Sequence, residues 1–268
     1  MLLIRNLIYW LLLVLITPPI FLLFLPAALF HNGANKMGRV WALTLMWSLK
    51  HIIGLNYRVI GRENIPAGPA IICSKHQSGW ETLALQEIFP LQVYVAKKEL
   101  FKLPFFGWGL KLAKTIGIDR SNRAQANAQL MEQGLARKRD GLWITIFPEG
   151  TRIPPGQQGK YRQGGARMAK MFEMDLVPVA VNSGEFWPRN SFMKYPGEIT
   201  VVIGPPIMPD GRGPEALTRE VENWIEARAP ESGKLQGIDI DCNAIPDAAM
   251  TLATMALFRS EDTRLNSS

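Results

Sequence analysis

The chain has 268 residues, of which 47% are apolar and 20% charged; this excludes a disordered polypeptide and allows one sizeable α/β domain plus an appendage. Lysine and arginine exceed aspartate and glutamate by seven, and the isoelectric point near 9.5 favours an anionic partner: a nucleic acid, a membrane surface or a phosphorylated substrate. The two cysteines, Cys73 and Cys242, lack any CxxC or Cys/His spacing, so neither a disulfide framework nor a zinc site is implied and a reducing cytoplasm fits best.

In chain order, the first predicted element is the run LIYWLLLVLITPPIFLLFLPAALF, residues 7–30, uncharged over 24 positions. As one helix it would measure roughly 36 Å and could cross a hydrocarbon core of about 30 Å. Pro18 and Pro19 divide it into halves of about 16 Å each, so a kinked or re-entrant anchor competes with a full span. The run is longer than a secretory apolar segment of about 7 to 15 residues, and only Arg5 precedes it; it is expected to stay in the mature protein. Basic residues downstream outnumber Arg5, which puts the remainder on the cytoplasmic side.

Residues 35–54, NKMGRVWALTLMWSLKHIIG, gather Lys36, Arg39 and Lys50 on one helical edge among leucines, tryptophans and isoleucines. That pattern suits an interfacial helix on anionic lipid, or an ordinary core helix with a solvated basic edge. Residues 1–55 therefore form the expected anchor.

Beyond it, strands are predicted at 56–61, 70–74, 92–96, 142–147, 176–182 and 198–204, with helices at 79–88, 122–139, 164–173 and 214–228. Such alternation indicates an α/β fold with a mixed, largely parallel sheet flanked by helices over residues 56–230. GRENIPAGP, IPPGQQGK and PPIMPDGRGP mark loops. A tail, 231–268, follows. Its last ten residues, RSEDTRLNSS, resemble the translation of a sequencing adapter, and no function is assigned beyond about Lys234.

Two stretches carry candidate chemistry. In SKHQSGWE, residues 74–81, Ser78 and Glu81 match a helix-opening capping box. His76 then sits in the preceding loop, free to fold back toward Glu81. A carboxylate bonded to one imidazole nitrogen fixes the tautomer and raises the basicity of the other, which can then take a proton from a hydroxyl attacking a carbonyl. In LWITIFPEGTRIPPG, a buried strand ends at Phe147 and a turn follows. Gly150 permits close backbone approach, Thr151 offers a hydroxyl and Arg152 can grip a phosphate bidentately; a surface turn with a Glu/Arg ion pair is the alternative. Lys97, Lys98, Arg120 and Arg162 add positive charge near strand ends.

HQSGWE, AKKELFKLPFFGWGLKLAKTIGIDRSNR, FPEGTR and VPVAVNSG stand in the order and spacing of the four motif blocks of the 1-acyl-glycerol-3-phosphate (lysophosphatidic acid) acyltransferase family, which the chain resembles over roughly residues 56–210. The resemblance implies the glycerolipid acyltransferase fold and transfer of a fatty acyl group from a thioester, on coenzyme A or acyl carrier protein, to the free hydroxyl of lysophosphatidate, giving phosphatidate. It makes His76 the base and Glu81 its orienting acid. Arg120, Glu149, Gly150, Thr151 and Arg152 would bind the acceptor's phosphate end, with Lys97 and Arg162 as further members, and Pro178 falls in the fourth block. The family's commonest first motif ends in Asp; Glu81 is one methylene longer. No metal and no bound cofactor are implied. The partners are membrane lipid, the acceptor and the acyl donor, and the expected location is the cytoplasmic face of a bacterial inner membrane; no oligomeric state is assigned. Three rivals remain. Acceptors such as glycerol 3-phosphate, another lysophospholipid or an ornithine lipid share the dyad. A serine or cysteine hydrolase would use Cys73, Ser74 or Ser78, but no G-x-S-x-G elbow is present. A non-enzymatic binder of anionic lipid or nucleic acid lacks any nucleic-acid motif.

Overall fold

The computed structural model of the chain describes residues 1–119 and 123–229. Arg120 and the tail after 230, both named above, lie outside the described residues.

Helix α1 (Leu2–Ala27) leads, and Pro18, Pro19 and Pro26 lie inside it. The prolines do not divide it, a correction to the expectation above. Packing on α2 (Gly33–Ser48) sustains the turn that they weaken. There the Thr17 hydroxyl donates to the Leu13 carbonyl at 2.7 Å and accepts the Trp41 indole N–H at 3.2 Å. The helix, about 39 Å long by its 1.5 Å rise per residue, is docked at both ends. Asn6 Nδ2 donates to the Lys194 carbonyl at 3.0 Å, and the Lys194 amide donates back to Asn6 Oδ1 at 2.8 Å. The ammonium of Lys194, a fully buried residue, lies 4.0 to 4.6 Å from the ring centroids of Tyr9, Trp10 and Trp187, a cation–π cage in place of a counter-charge. At the other end Phe21 meets Phe105 and Trp108. The outward side exposes Leu3, Leu7, Leu11, Val14, Leu15 and Leu22. Helix α2 continues through a π-helical turn at Leu49–Ile53 and has a buried and an exposed side. Ala42, Leu45 and Met46 are core, whereas Val40 and Trp47 are exposed with Lys36 and Lys50.

The body is a seven-stranded sheet of β1 (Leu55–Ile60), β2 (Ile71–Ser74), β3 (Gln92–Lys97), β4 (Ile116–Ile118), β5 (Trp143–Ile146), β6 (Leu176–Val181) and β7 (Gly197–Ile203), in the order β1-β7-β6-β2-β5-β3-β4. Among the pairs of these described strands, β6/β7 is antiparallel and the others are parallel. Strands β2, β5 and β6 are buried at every position, as central parallel strands rich in Ile and Val must be when both faces are covered. The helices are α3 (Glu81–Ile88), α4 (Phe106–Leu112), α5 (Arg123–Arg139), α6 (Gly164–Phe172) and α7 (Pro214–Glu226). One face of the sheet buries Ile72, Val177 and Val179 in a core with Leu45, Leu49 and Leu83 from α2, α3 and the π turn. The other buries Ile71, Ile144 and Leu176 with Leu130, Phe172 and Val221 from α5, α6 and α7. Six strands match the sequence expectation, while β4 and α4 were not anticipated. Because β2, β3, β5 and β6 are parallel, their C-terminal ends emerge along one edge, where ligand sites of such sheets form.

Replacing Asn6 by Ala removes both hydrogen bonds that tie α1 to Lys194, one of them leaving a buried amide unpaired. We expect a loss of about 1 to 3 kcal/mol, read as a lowered midpoint of thermal denaturation in detergent. An unchanged midpoint would mean that α1 is not held there.

Candidate active site

The loop leaving β2 carries His76. Its backbone is pinned on both sides: the amide donates to Glu149 Oε2 at 3.1 Å, and the carbonyl accepts the Ile153 amide at 2.8 Å. The ring stacks on Phe147, with centroids 3.9 Å apart and planes 15° from parallel. The chain then turns through Ser78 and Gly79, and α3 begins at Glu81. Helical backbone begins at Trp80, and Ser78 opens the helix as its capping-box spacing suggests: its hydroxyl accepts the Trp80 amide at 3.0 Å while its own amide donates to the Glu81 carboxylate. The Glu81 carboxylate receives the Gln77 amide at 2.9 Å, the Ser78 amide at 3.1 Å and the Ser183 hydroxyl. Glu81 is fully buried, and a buried carboxylate needs such donors to stand the loss of water.

His76 Nδ1 stands 3.8 Å from Glu81 Oε2. That separation exceeds a hydrogen bond, and Nδ1 has no other side-chain or backbone partner among the described residues. Catalytic hydrogen bonds are commonly long without substrate and close when it binds. With Nδ1 facing Glu81, Nε2 is the nitrogen left for a substrate.

The turn after β5 closes over this loop. Gly150 has a φ of +70°, a left-handed conformation that favours glycine, and its amide returns to the Phe147 carbonyl at 2.9 Å. A Cβ placed on Gly79 would lie 3.5 Å from the Arg152 guanidinium, so the second motif's arginine rests on the first motif's glycine. Arg189 donates to the Arg152 carbonyl at 3.0 Å.

These groups border a cavity of about 510 Å³. His76, Gly150, Thr151, Arg152, Lys97 and Arg189 supply polar wall; Ile20, Phe21 and Phe24 of α1, Trp41 of α2 and Phe106 and Leu110 of α4 supply apolar wall. Positive charge and apolar surface thus meet in one space beside the imidazole.

Not every expected residue is there. Glu149 points away from the cavity: its carboxylate is buried and paired with Lys75 Nζ at 2.9 Å. It does not line the cavity, and among the described residues its ion-pair partner is Lys75, not Arg152. Burial raises its pKa, with Lys75 acting in the opposite direction. Arg162 is exposed and packs against Gly150, where an added Cβ would lie 3.2 Å from its Nε; it does not line the cavity. Pro178 lies within β6, level with Cys73 of β2, and serves packing. Burial pushes the Cys73 thiol up to about 12, which removes it as a nucleophile at neutral pH. The Ser74 hydroxyl bonds the Lys75 carbonyl. Sequence reading missed Lys75, Phe147, Ser183 and Arg189. The only signal for the first was a cation beside the candidate base.

The family described as Acyltransferase matches residues 56–182. A 1-acyl-sn-glycerol-3-phosphate acyltransferase of Pseudomonas aeruginosa is 44% identical over 199 residues, 73% of this chain and 77% of that protein. The protein of the same name from Saccharomyces cerevisiae is 34% identical over 50% of this chain and 46% of its own length. The crystal structure of the 1-acyl-sn-glycerophosphate acyltransferase PlsC from Thermotoga maritima superposes with a TM-score of 0.69 over 85% of this chain and 94% of that one. At 21% identity this last likeness speaks for the fold.

The amide cup of Gln77 and Ser78 fits a glutamate. Glu81→Asp should draw the carboxylate back toward α3 and lower kcat at least about tenfold; Glu81→Gln, which cannot stabilise an imidazolium, should lower it about 100-fold or more. Steady-state kinetics decide this, and an unimpaired Glu81→Gln enzyme would contradict the pairing.

Proposed function

The chain belongs to the 1-acyl-sn-glycerol-3-phosphate acyltransferase family, and from that premise we propose that it transfers a fatty acyl group from acyl-CoA or acyl carrier protein to the sn-2 hydroxyl of 1-acyl-glycerol-3-phosphate. The observation that carries this reading is the meeting, in one cavity, of an imidazole backed by a buried carboxylate, an arginine over the same loop and an apolar chamber lined by α1 and α4.

In the proposed reaction the acceptor's phosphate lies against Arg152 and the backbone of Gly150 and Thr151, with Lys97 at the rim; Arg120 would join them. His76 Nε2 takes the proton of the acceptor hydroxyl as its oxygen attacks the thioester carbonyl. Glu81 stabilises the imidazolium that forms. Collapse of the tetrahedral intermediate breaks the carbon–sulfur bond, and the thiolate takes the proton from His76. No enzyme nucleophile, metal or bound cofactor takes part; the donor is a co-substrate. An acyl tail occupies the apolar part of the cavity.

The setting proposed is the cytoplasmic face of a bacterial inner membrane. Helix α1 is long and apolar enough to cross a membrane, but docking at both ends favours an orientation along the interface, with its outward leucines in the acyl region. Exposed Leu103, Phe105 and Trp108 extend this apolar surface, and Lys36, Lys102 and Lys111 provide charge for anionic headgroups.

His76→Ala should lower kcat by roughly 100- to 10,000-fold with little change in acceptor KM, because the base acts in the transition state. Arg152→Ala should chiefly raise KM for lysophosphatidate. The reverse pattern for the two variants would exchange their roles, and a panel of lyso-acceptors with both donor types defines the substrate. Glu at positions 7 and 11 in place of Leu should release the protein from anionic vesicles in flotation. Undiminished binding would rule out the outward face of α1 as the membrane contact.

A further inference from the structure

Lys75 stands immediately before the base and has no role in the chemistry above. It is 1% exposed, and its ammonium donates to Glu149 Oε1 at 2.9 Å, to Glu226 Oε1 of α7 at 2.7 Å and to the Gln157 carbonyl at 3.1 Å. Glu149 Oε1 also receives the Gly159 amide at 3.3 Å, while Glu149 Oε2 receives the amide of His76 at 3.1 Å. Tyr161 donates to Glu226 Oε1 at 2.7 Å. A continuous line of hydrogen bonds therefore runs from α7 through Lys75 and Glu149 to the backbone of the base.

A buried ion pair is by itself a poor source of stability, since apolar residues of similar volume often do as well. Stability alone leaves unexplained why one oxygen of the pair is committed to the His76 amide. We propose that Lys75 is a positioning residue for His76, acting through Glu149: the ammonium holds the carboxylate whose far oxygen clamps the amide of the base at the cavity wall. This rests on His76 being the base.

The electrostatics give the proposal a signature. Burial raises the pKa of Glu149; Lys75 and the His76 amide lower it, and Glu226 raises it. Tyr161 and Glu222 also lie beside the cluster, and the His76 imidazole with its partner Glu81 stands on the far side of the clamped amide. Without Lys75 the opposing cation is gone, so Glu149 takes up a proton at a higher pH. A protonated carboxyl turns donor at one oxygen and loosens its hold on the amide. Activity should then be lost, as pH falls, earlier than in the unaltered enzyme.

The test is a pH–rate profile of the full chain in detergent micelles with lysophosphatidate and acyl-CoA. For Lys75→Met we expect kcat at neutral pH to fall about 10- to 100-fold, as for a displacement of a reacting group by about 1 Å, with acceptor KM within about twofold. The acid limb should move up by roughly 1 pH unit or more, the scale of removing an opposite charge at this distance. In Lys75→Met/Glu149→Gln the amide oxygen can still accept from His76 and has no acid form, so the limb should return to its original place and activity at low pH should exceed that of the single variant. An unmoved limb, a loss confined to KM, or a double variant that keeps the shifted limb would overturn the proposal.

Should Lys75→Met not fold, Glu149→Gln and Glu149→Ala decide, because only the first keeps an acceptor for the His76 amide. Equal kcat in those two sinks the clamp. Full turnover by His76→Ala would instead remove the base assignment itself, which separates the failure of that reading from the failure of this one.

Discussion

The site depends on one constraint: a carboxylate must be buried directly behind an imidazole without losing its hydrogen-bond partners. Glu81 meets it with two backbone amides and a serine hydroxyl. Charge-assisted bonds of this kind contribute about 1.5 to 3 kcal/mol each, whereas an uncompensated buried charge costs several. The amides belong to the residues that follow His76, so the groups that solvate the acid also fix the loop bearing the base. Ser183, beyond β6, ties that loop to a distant part of the chain.

Sheet direction explains why such distant pieces meet. Parallel β2, β3, β5 and β6 end on one edge and deliver, in turn, the His76 loop, Lys97, the Phe147–Arg152 turn and Ser183. Between these pieces, 21 positions (His76 to Lys97), 50 (Lys97 to Phe147) and 31 (Arg152 to Ser183) of chain are wound into crossovers and helices away from that edge. The same topology leaves the opposite ends of these strands without any of the candidate residues. Position along the sheet, more than proximity in sequence, selects the chemistry.

Much of this was legible in the sequence because the physical signals were local. Runs such as AIICS and LWITIF are β-branched and bounded by turn residues, so they announce strands. Strand β4 is three residues around a glycine, IGI, and α4 contains two glycines in seven positions; neither carries a period long enough to read, and tertiary packing decides both. Pro18 and Pro19 were misleading because a proline's cost within a helix depends on what surrounds the freed carbonyls, and here α2 supports the turn. His76, Glu81 and Arg152 were readable from motif and chemistry together. Glu149 was not: its type allows either a place in the cavity or one beneath it, and the choice is made by Lys75 and by Glu226, residues 74 and 77 positions away from it in opposite directions along the chain.

Helix α1 links the membrane reading to the chemistry. One side presents leucines outward, and the other lends Ile20, Phe21 and Phe24 to the cavity wall. If the outward side lies among acyl chains, the inner side lies within one helix diameter, about 10 Å, of the lipid. An acyl tail would then pass from bilayer to cavity with little exposure to water, while the polar rim at Arg152 and Lys97 keeps the headgroup end at the surface. Detaching α1 would open the chamber to solvent and remove part of its wall. In the proposed reaction the anchor is therefore part of the active site, as well as the means of reaching the substrate.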